Sequence, residues 1–206
     1  MSIIAKKKDR FLVPAGSYVG RCISMIHIGH VMENYMGDLK ENDKLQITWE
    51  LPTELHVFHE DKGEQPCVIS QELTLSMHEK SNLRRLLAGW RGRDFTQDEA
   101  NNFDISKLIG KPCMLSIIHK ATKTGNMYPT IQSIITLPKG MECPPQVNPS
   151  FEFSYNPFDE DKFNSLPEWL QAKASESKEY KKATGQVEIN QETKGEYRTE
   201  NDPLPF

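Results

Sequence analysis

Apolar and polar positions alternate along much of the first 140 residues with the period of a β-strand. Over residues 44–51, Leu45, Ile47, Trp49 and Leu51 interleave with Gln46, Thr48 and Glu50. Over residues 67–77, Ile69, Leu73, Leu75 and Met77 interleave with Ser70, Glu72, Thr74 and Ser76. A period of two gives each strand one buried and one polar face. Residues 17–28, 112–119 and 128–137 predict three more strands, the last two joined by a hairpin loop over 120–126 with Gly125 near its end. The period changes at 81–90, where Leu83, Leu86, Leu87 and Trp90 recur at helical spacing. Ser81 is positioned to cap that helix and Gly92 to end it. Thr96-Gln-Asp-Glu99 reads as a capping box for a second short helix, and residues 105–109 add a turn.

The order strand, strand, strand, helix, strand, strand predicts a mainly β chain, a five-stranded OB-fold barrel with its helix between strands 3 and 4. Such a barrel binds oligonucleotides on the strand 2–3 face and through its 1–2 and 4–5 loops. Beyond it, residues 138–160 are rich in Pro and aromatics, with Pro144, Pro145, Phe151, Phe153, Tyr155 and Phe158, and read as an extended strap lying on the domain. Residues 165–173 predict a short helix with Ser165 at its start and Trp169 and Leu170 facing inward. Residues 174–203 hold almost nothing that could build a core and read as disordered. The expected division is a barrel over 1–140, strap and helix over 141–173, and an acidic tail over 174–206.

Charge follows that division. The chain has 206 residues and a formal net charge of −4. Residues 1–140 carry 18 basic and 16 acidic side chains, whereas 141–206 carry 7 and 13. A mildly basic barrel therefore precedes an acidic tail. Hydrophobic residues make up 37%, below the roughly 45–50% of a fully globular domain, and the deficit sits in the tail. No run approaches the roughly 18 apolar residues of a membrane span, and Met1–Arg10 lacks the apolar region of an export signal. These features predict a cytoplasmic protein without membrane contact. Cys22, Cys67, Cys113 and Cys143 show no C-x-x-C spacing and read as reduced thiols.

Phosphate-loop, dinucleotide, metalloprotease, esterase and deaminase signatures are all missing, so neither catalysis nor a cofactor is expected. The nearest metal candidates are His27/His30 and His56/His59, but residues three apart on a strand face opposite ways, and no metal is expected. Glu50, Glu54 and Glu72 offer carboxylates to a metal-dependent nuclease, but no motif supports that reading.

Binding a single strand needs cations for phosphates and flat rings for bases. The 1–2 loop, residues 29–43, offers Tyr35 and Lys40, with Lys44 opening strand 2; the 4–5 loop offers Lys120 and Lys123, followed by Tyr128. Arg21 lies in the groove or snorkels at a barrel end, and Trp49 is a core residue or a stacking platform. Arg84, Arg85, Arg91 and Arg93 around Trp90 read as a solvated face or a contact between copies, so a homo-oligomer is one expectation.

The chain closes on Asp202-Pro203-Leu204-Pro205-Phe206, which puts a ring beside the α-carboxylate on a stiffened acidic leash. This resembles the C-terminal tip of bacterial single-stranded DNA-binding proteins. Residues 80–95, Ile109-Gly-Lys-Pro-Cys113 and Leu166-Pro-Glu-Trp-Leu170 are similar to phage-encoded single-stranded DNA-binding proteins, over about residues 10–172. The resemblance implies a non-catalytic protein that coats single-stranded DNA in replication or recombination and recruits replication or recombination proteins through the tip. The rival expectation is a protein-interaction or inhibitor module on a small β-barrel, with no role in nucleic-acid binding.

Overall fold

The computed structural model describes residues 11–35 and 37–186. Strands β1 (Gly16–Tyr35), β2 (Asp38–His56), β3 (Gln65–Thr74), β4 (Pro112–Ala121) and β5 (Met127–Ile135) form an antiparallel sheet in the order β3-β2-β1-β4-β5. A sixth strand, β6 (Phe151–Phe153), pairs in parallel with Ser24–Ile26 of β1. Helices α1 (Asn82–Arg91) and α2 (Gln97–Asn102) lie between β3 and β4, as the change of period predicts. Among the described residues no backbone ladder joins β3 to β5. Between them the Ile131 N–H donates to Gln71 Oε1 at 3.0 Å, and the sheet is not closed into the expected OB-fold barrel.

One core fills the concave side. Leu45, Ile47, Trp49 and Leu51 from β2 meet Leu83, Leu86, Leu87 and Trp90 from α1, with Leu115, Ile117, Ile131 and Ile134 completing it. Ser81 caps α1 by accepting the Arg84 N–H, and Gly92 ends it in the left-handed region at φ 78°. Gly89 lets α1 lie against β5, because a Cβ there would stand 2.3 Å from the Ile134 carbonyl oxygen. Arg84 is buried and donates to Asp94 and to the Met77 and Phe95 carbonyls, while Arg91 and Arg93 both grip Glu99. These arginines tie α1 to α2, where a solvated face or a contact between copies was expected.

A second core lies on the other side of β1. Ile26, Ile28 and Val31 pack against Phe153, Phe163, Leu166, Leu170 and Ala174, ringed by Phe151, Tyr155, Phe158 and Tyr180. Residues 22–28 of β1 are therefore packed on both faces, which is why no strict alternation marks them. Each buried Phe or Leu contributes roughly 1.5–3 kcal/mol of transfer free energy, enough to hold the strap and the helices α3 (Glu160–Asn164) and α4 (Glu168–Ser175) on the sheet. Leu170 is buried as expected, but Trp169 is 57% exposed: the helix turns only one of the two adjacent residues inward.

Two segments are more ordered than their composition predicts. The 1–2 loop expected over 29–43 is a hairpin instead: β1 and β2 pair out to Tyr35↔Asp38, and Gly37 takes φ 98° at the turn. Polar cross-strand neighbours such as Glu33↔Lys40 hold this arm, so no hydrophobic period marks it. Likewise, α5 (Lys178–Ala183) forms within the segment expected to be disordered. Its Ser177 cap is fully buried and accepts the Tyr180 N–H. Glu179 accepts from both the backbone N–H and the ring Nδ1 of His30, at 2.7 and 2.6 Å. Gly29, at φ 91°, leaves the room: a Cβ there would meet Glu179 and Ser177 within 3 Å.

The Glu179 hydrogen bond raises the His30 pKa above its ordinary 6.5. Burial works against ionisation of Glu179, but the His30 N–H groups outweigh it and lower that carboxyl below 4.5. A raised histidine stabilises most below its ordinary value and loses its contribution as pH climbs through the folded value; a lowered carboxylate does the reverse on the acid side. Asp43, Glu41 and Lys178 also face this contact. Docking of α5 is therefore expected to be tightest between about pH 4.5 and 6.5. Amide hydrogen exchange in Lys178–Ala183, corrected for the chemical rate, should show less protection at about pH 8.5 than at about pH 6.

Candidate nucleic-acid interface

The sheet face expected to hold a ligand is largely covered. At Glu50 the strap crosses the outer side of β2: Val147 N–H and Asn148 N–H and Nδ2 donate to its carboxylate at 3.0, 2.7 and 2.6 Å, and Glu50 is fully buried. Arg21, its cross-strand neighbour, donates to the Gly110, Cys143 and Pro144 carbonyls at 2.7, 3.2 and 3.0 Å. Arg21 thus fastens the strap and is committed to carbonyls where a phosphate contact was expected.

Further along, α4 packs on β1 and reaches β3 through Lys173. Lys44 reaches Glu33 at 2.5 Å and Glu72 at 3.8 Å, and Lys173 of α4 bonds both oxygens of Glu72 at 2.7 Å. The Lys44 side chain is only 12% exposed, so it is a structural ion-pair partner and no groove cation. Of the two expectations for Trp49, the core position is the one it takes. It is fully buried, 6.2 Å from the Trp90 ring, and no base can reach it. Its in-phase position among Leu45, Ile47 and Leu51 is what places it inside.

The 4–5 arm is different. β4 and β5 pair out to Ala121↔Met127, with Lys120 directly across from Tyr128. Directly opposed residues share one face at about 4.5–5.5 Å between Cβ atoms. Lys120, Lys123 and Tyr128 are all exposed, Tyr128 by 42%. The turn is fixed by Thr122 N–H to the Asn126 carbonyl at 2.8 Å and Gly125 N–H to the Thr122 carbonyl at 2.9 Å, with Gly125 at φ 81°. Three expected site residues therefore sit together on one ordered arm. Tyr35 and Lys40 belong to the β1–β2 hairpin, at the opposite end of the antiparallel strands.

The end of the sheet that carries the 4–5 arm also carries a feature that the strand pattern does not announce. Phe11 stacks on His56 at 3.7 Å and 11°, and Phe58 meets both edge-on, at 5.8 and 4.9 Å. Phe11 and Phe58 are 37% and 48% exposed, beside exposed Leu55 and Val57. The incoming chain links this cluster to the arm, since His119 Nε2 of β4 lies 2.8 Å from the Val13 carbonyl oxygen. The available sequence signal was Val57-Phe58, an apolar pair inside an otherwise charged loop.

The histidine pairs separate. His27 meets Asp43 at 2.7 Å while His30 meets Glu179, and His56 joins the ring stack. Among the described residues no group of three His, Cys, Asp or Glu is placed to hold a metal ion. All four cysteines are free; burial pushes the Cys22 thiol up to about 12 and Cys113 higher still. No described helix is long and apolar enough to cross a membrane. The tip residues Asp202, Pro203, Leu204, Pro205 and Phe206 lie outside the described residues. No protein-family model and no curated protein matches the chain.

Proposed function

We propose that this chain is a non-catalytic single-stranded DNA-binding protein built on an OB-type barrel. The strand order 3-2-1-4-5, with the described α-helices that precede the strap lying between β3 and β4, supports the OB reading. In that reading the Gln71–Ile131 bond marks the seam between β3 and β5. The observation that carries the function is the exposed 4–5 arm: Lys120 and Lys123 supply charge for phosphates, and Tyr128 supplies a face for a base. The acidic C-terminal segment and its Asp202–Phe206 tip would recruit replication or recombination proteins, a role that their sequence alone supports. Cytoplasmic location and action for a phage belong to the same proposal.

The test is a triple variant, Lys120→Ala, Lys123→Ala and Tyr128→Ala. Base–aromatic stacking contributes roughly 1–3 kcal/mol, and each lost phosphate contact flattens the salt dependence by about 0.7 for a single strand. Affinity for a labelled oligo-dT should fall about 10- to 100-fold at low salt, with the melting temperature unchanged because all three side chains are exposed. Wild-type affinity in this variant would remove the arm from the binding site.

A further inference from the structure

Two exposed patches of opposite charge adjoin at one end of the sheet. The first is the ring cluster of Phe11, His56 and Phe58, extended by exposed Leu55 and Val57. His56 stacks on one face of Phe11, yet Phe11 remains 37% exposed. The loop that leaves this cluster, residues 57–64, is acidic: Glu60, Asp61 and Glu64 are exposed, and Lys62 offsets one of them. An apolar patch with an anionic rim repels phosphates and accepts a surface that is itself apolar and cationic.

The second patch has that character. The 4–5 arm presents Lys120 and Lys123 together with exposed Met127 and Tyr128. His119, at the base of the arm, bonds the Val13 carbonyl, two residues along the chain from Phe11. The arm is fixed by the β4–β5 ladder and by the hydrogen bonds of its turn. Among the described residues none of Lys120, Lys123, Glu60, Asp61 and Glu64 forms an ion pair. Neighbouring patches of opposite charge and shared apolar character are self-complementary: a two-fold axis between them lays the arm of each copy on the ring cluster of the other.

We propose that this end of the sheet pairs with the same end of a second copy. Lys120 and Lys123 of each chain meet Glu60, Asp61 and Glu64 of the other, while Met127 and Tyr128 of each cover the other's Phe11 and Phe58. The partner's carboxylates then stand where phosphates are proposed above to sit, so pairing and single-strand binding exclude each other at the arm.

Sedimentation equilibrium of the full chain tests this without nucleic acid, so its failure leaves the single-strand reading to its own test. The wild type should pass from monomer toward dimer between about 1 and 100 μM at low salt, and pair more weakly at high salt. Lys120→Glu with Lys123→Glu, or Glu60→Lys with Asp61→Lys and Glu64→Lys, should each weaken pairing about 10-fold or more, because like charges then face one another. Mixing these two reversed chains restores opposite charges at both contacts and should restore association as an equimolar heterodimer. Phe11→Ala with Phe58→Ala should also weaken pairing about 10-fold, with the salt dependence kept. Every side chain changed is exposed, so all variants should melt with the wild type. A wild type that stays monomeric over that range, wild-type pairing in any of these variants, or reversed chains that remain monomeric when mixed overturns the proposal.

Discussion

Replacing Glu50 by alanine is expected to destabilise the fold by about 3–5 kcal/mol. Its carboxylate is fully buried and accepts three hydrogen bonds from Val147 and Asn148. Removing it strands three donors in a desolvated place, at roughly 1–3 kcal/mol for each group left unpaired. Part of that cost is recovered if residues 143–148 lift into water, so the strap should open before the sheet melts. A fall of about 10 °C in melting temperature is the expected size for a chain of this length. Cys143, on the same strap with its Sγ 3.9 Å from the Gly20 carbonyl oxygen, reports the opening. Its alkylation should accelerate in Glu50→Ala ahead of global unfolding. Glu50→Gln keeps the shape and one acceptor and should cost less. An alanine variant with wild-type melting and wild-type alkylation would show that the strap is held by its aromatics alone.

Trp49→Ala carries an expected cost of similar size, about 3–5 kcal/mol, for the opposite physical reason. The indole fills the space between β2 and α1, and its removal leaves a cavity that Ile47, Leu86 and Trp90 cannot close without moving secondary structure. The indole Nε1 has no recorded hydrogen-bond partner. Trp49→Phe therefore restores most of the packing, loses no recorded hydrogen bond, and should cost about 1–2 kcal/mol. Both effects are measured by denaturant unfolding. DNA affinity measured below the transition should stay at the wild-type level in both variants. Loss of affinity with stability intact in Trp49→Ala would return this ring to the surface.

The alternation of apolar residues was enough to order β2, β3, α1, β4 and β5, because in each a single face is buried. It underestimated β1 and the start of β2. Beyond Gly29 the β1–β2 hairpin is paired through Glu33, Lys40, Asn42 and Lys44, and a polar ladder leaves no hydrophobic period. α5 was invisible for a related reason: Ser177 and Glu179 dock it by hydrogen bonds that composition does not register. Charge was legible but its partners were not. Arg21 and Lys44 have the residue types of a phosphate groove, and only the packing of the strap and α4 reveals that carbonyls and carboxylates already occupy them. Lys120, Lys123 and Tyr128 survive because no described element covers the arm that carries them. Phe11 and Phe58 escaped notice as single apolar residues outside any strand pattern; their stack with His56 exists only in three dimensions.

The most direct test of the central claim is titration of the full-length wild-type chain into a labelled oligo-dT of about 30 nucleotides, at roughly 50 and 200 mM salt, with a duplex of equal length as competitor. The account predicts single-strand binding that weakens by about 10-fold or more at the higher salt and resists the duplex. Absence of binding, or binding indifferent to salt, would contradict it and leave a protein-interaction module as the reading of this fold.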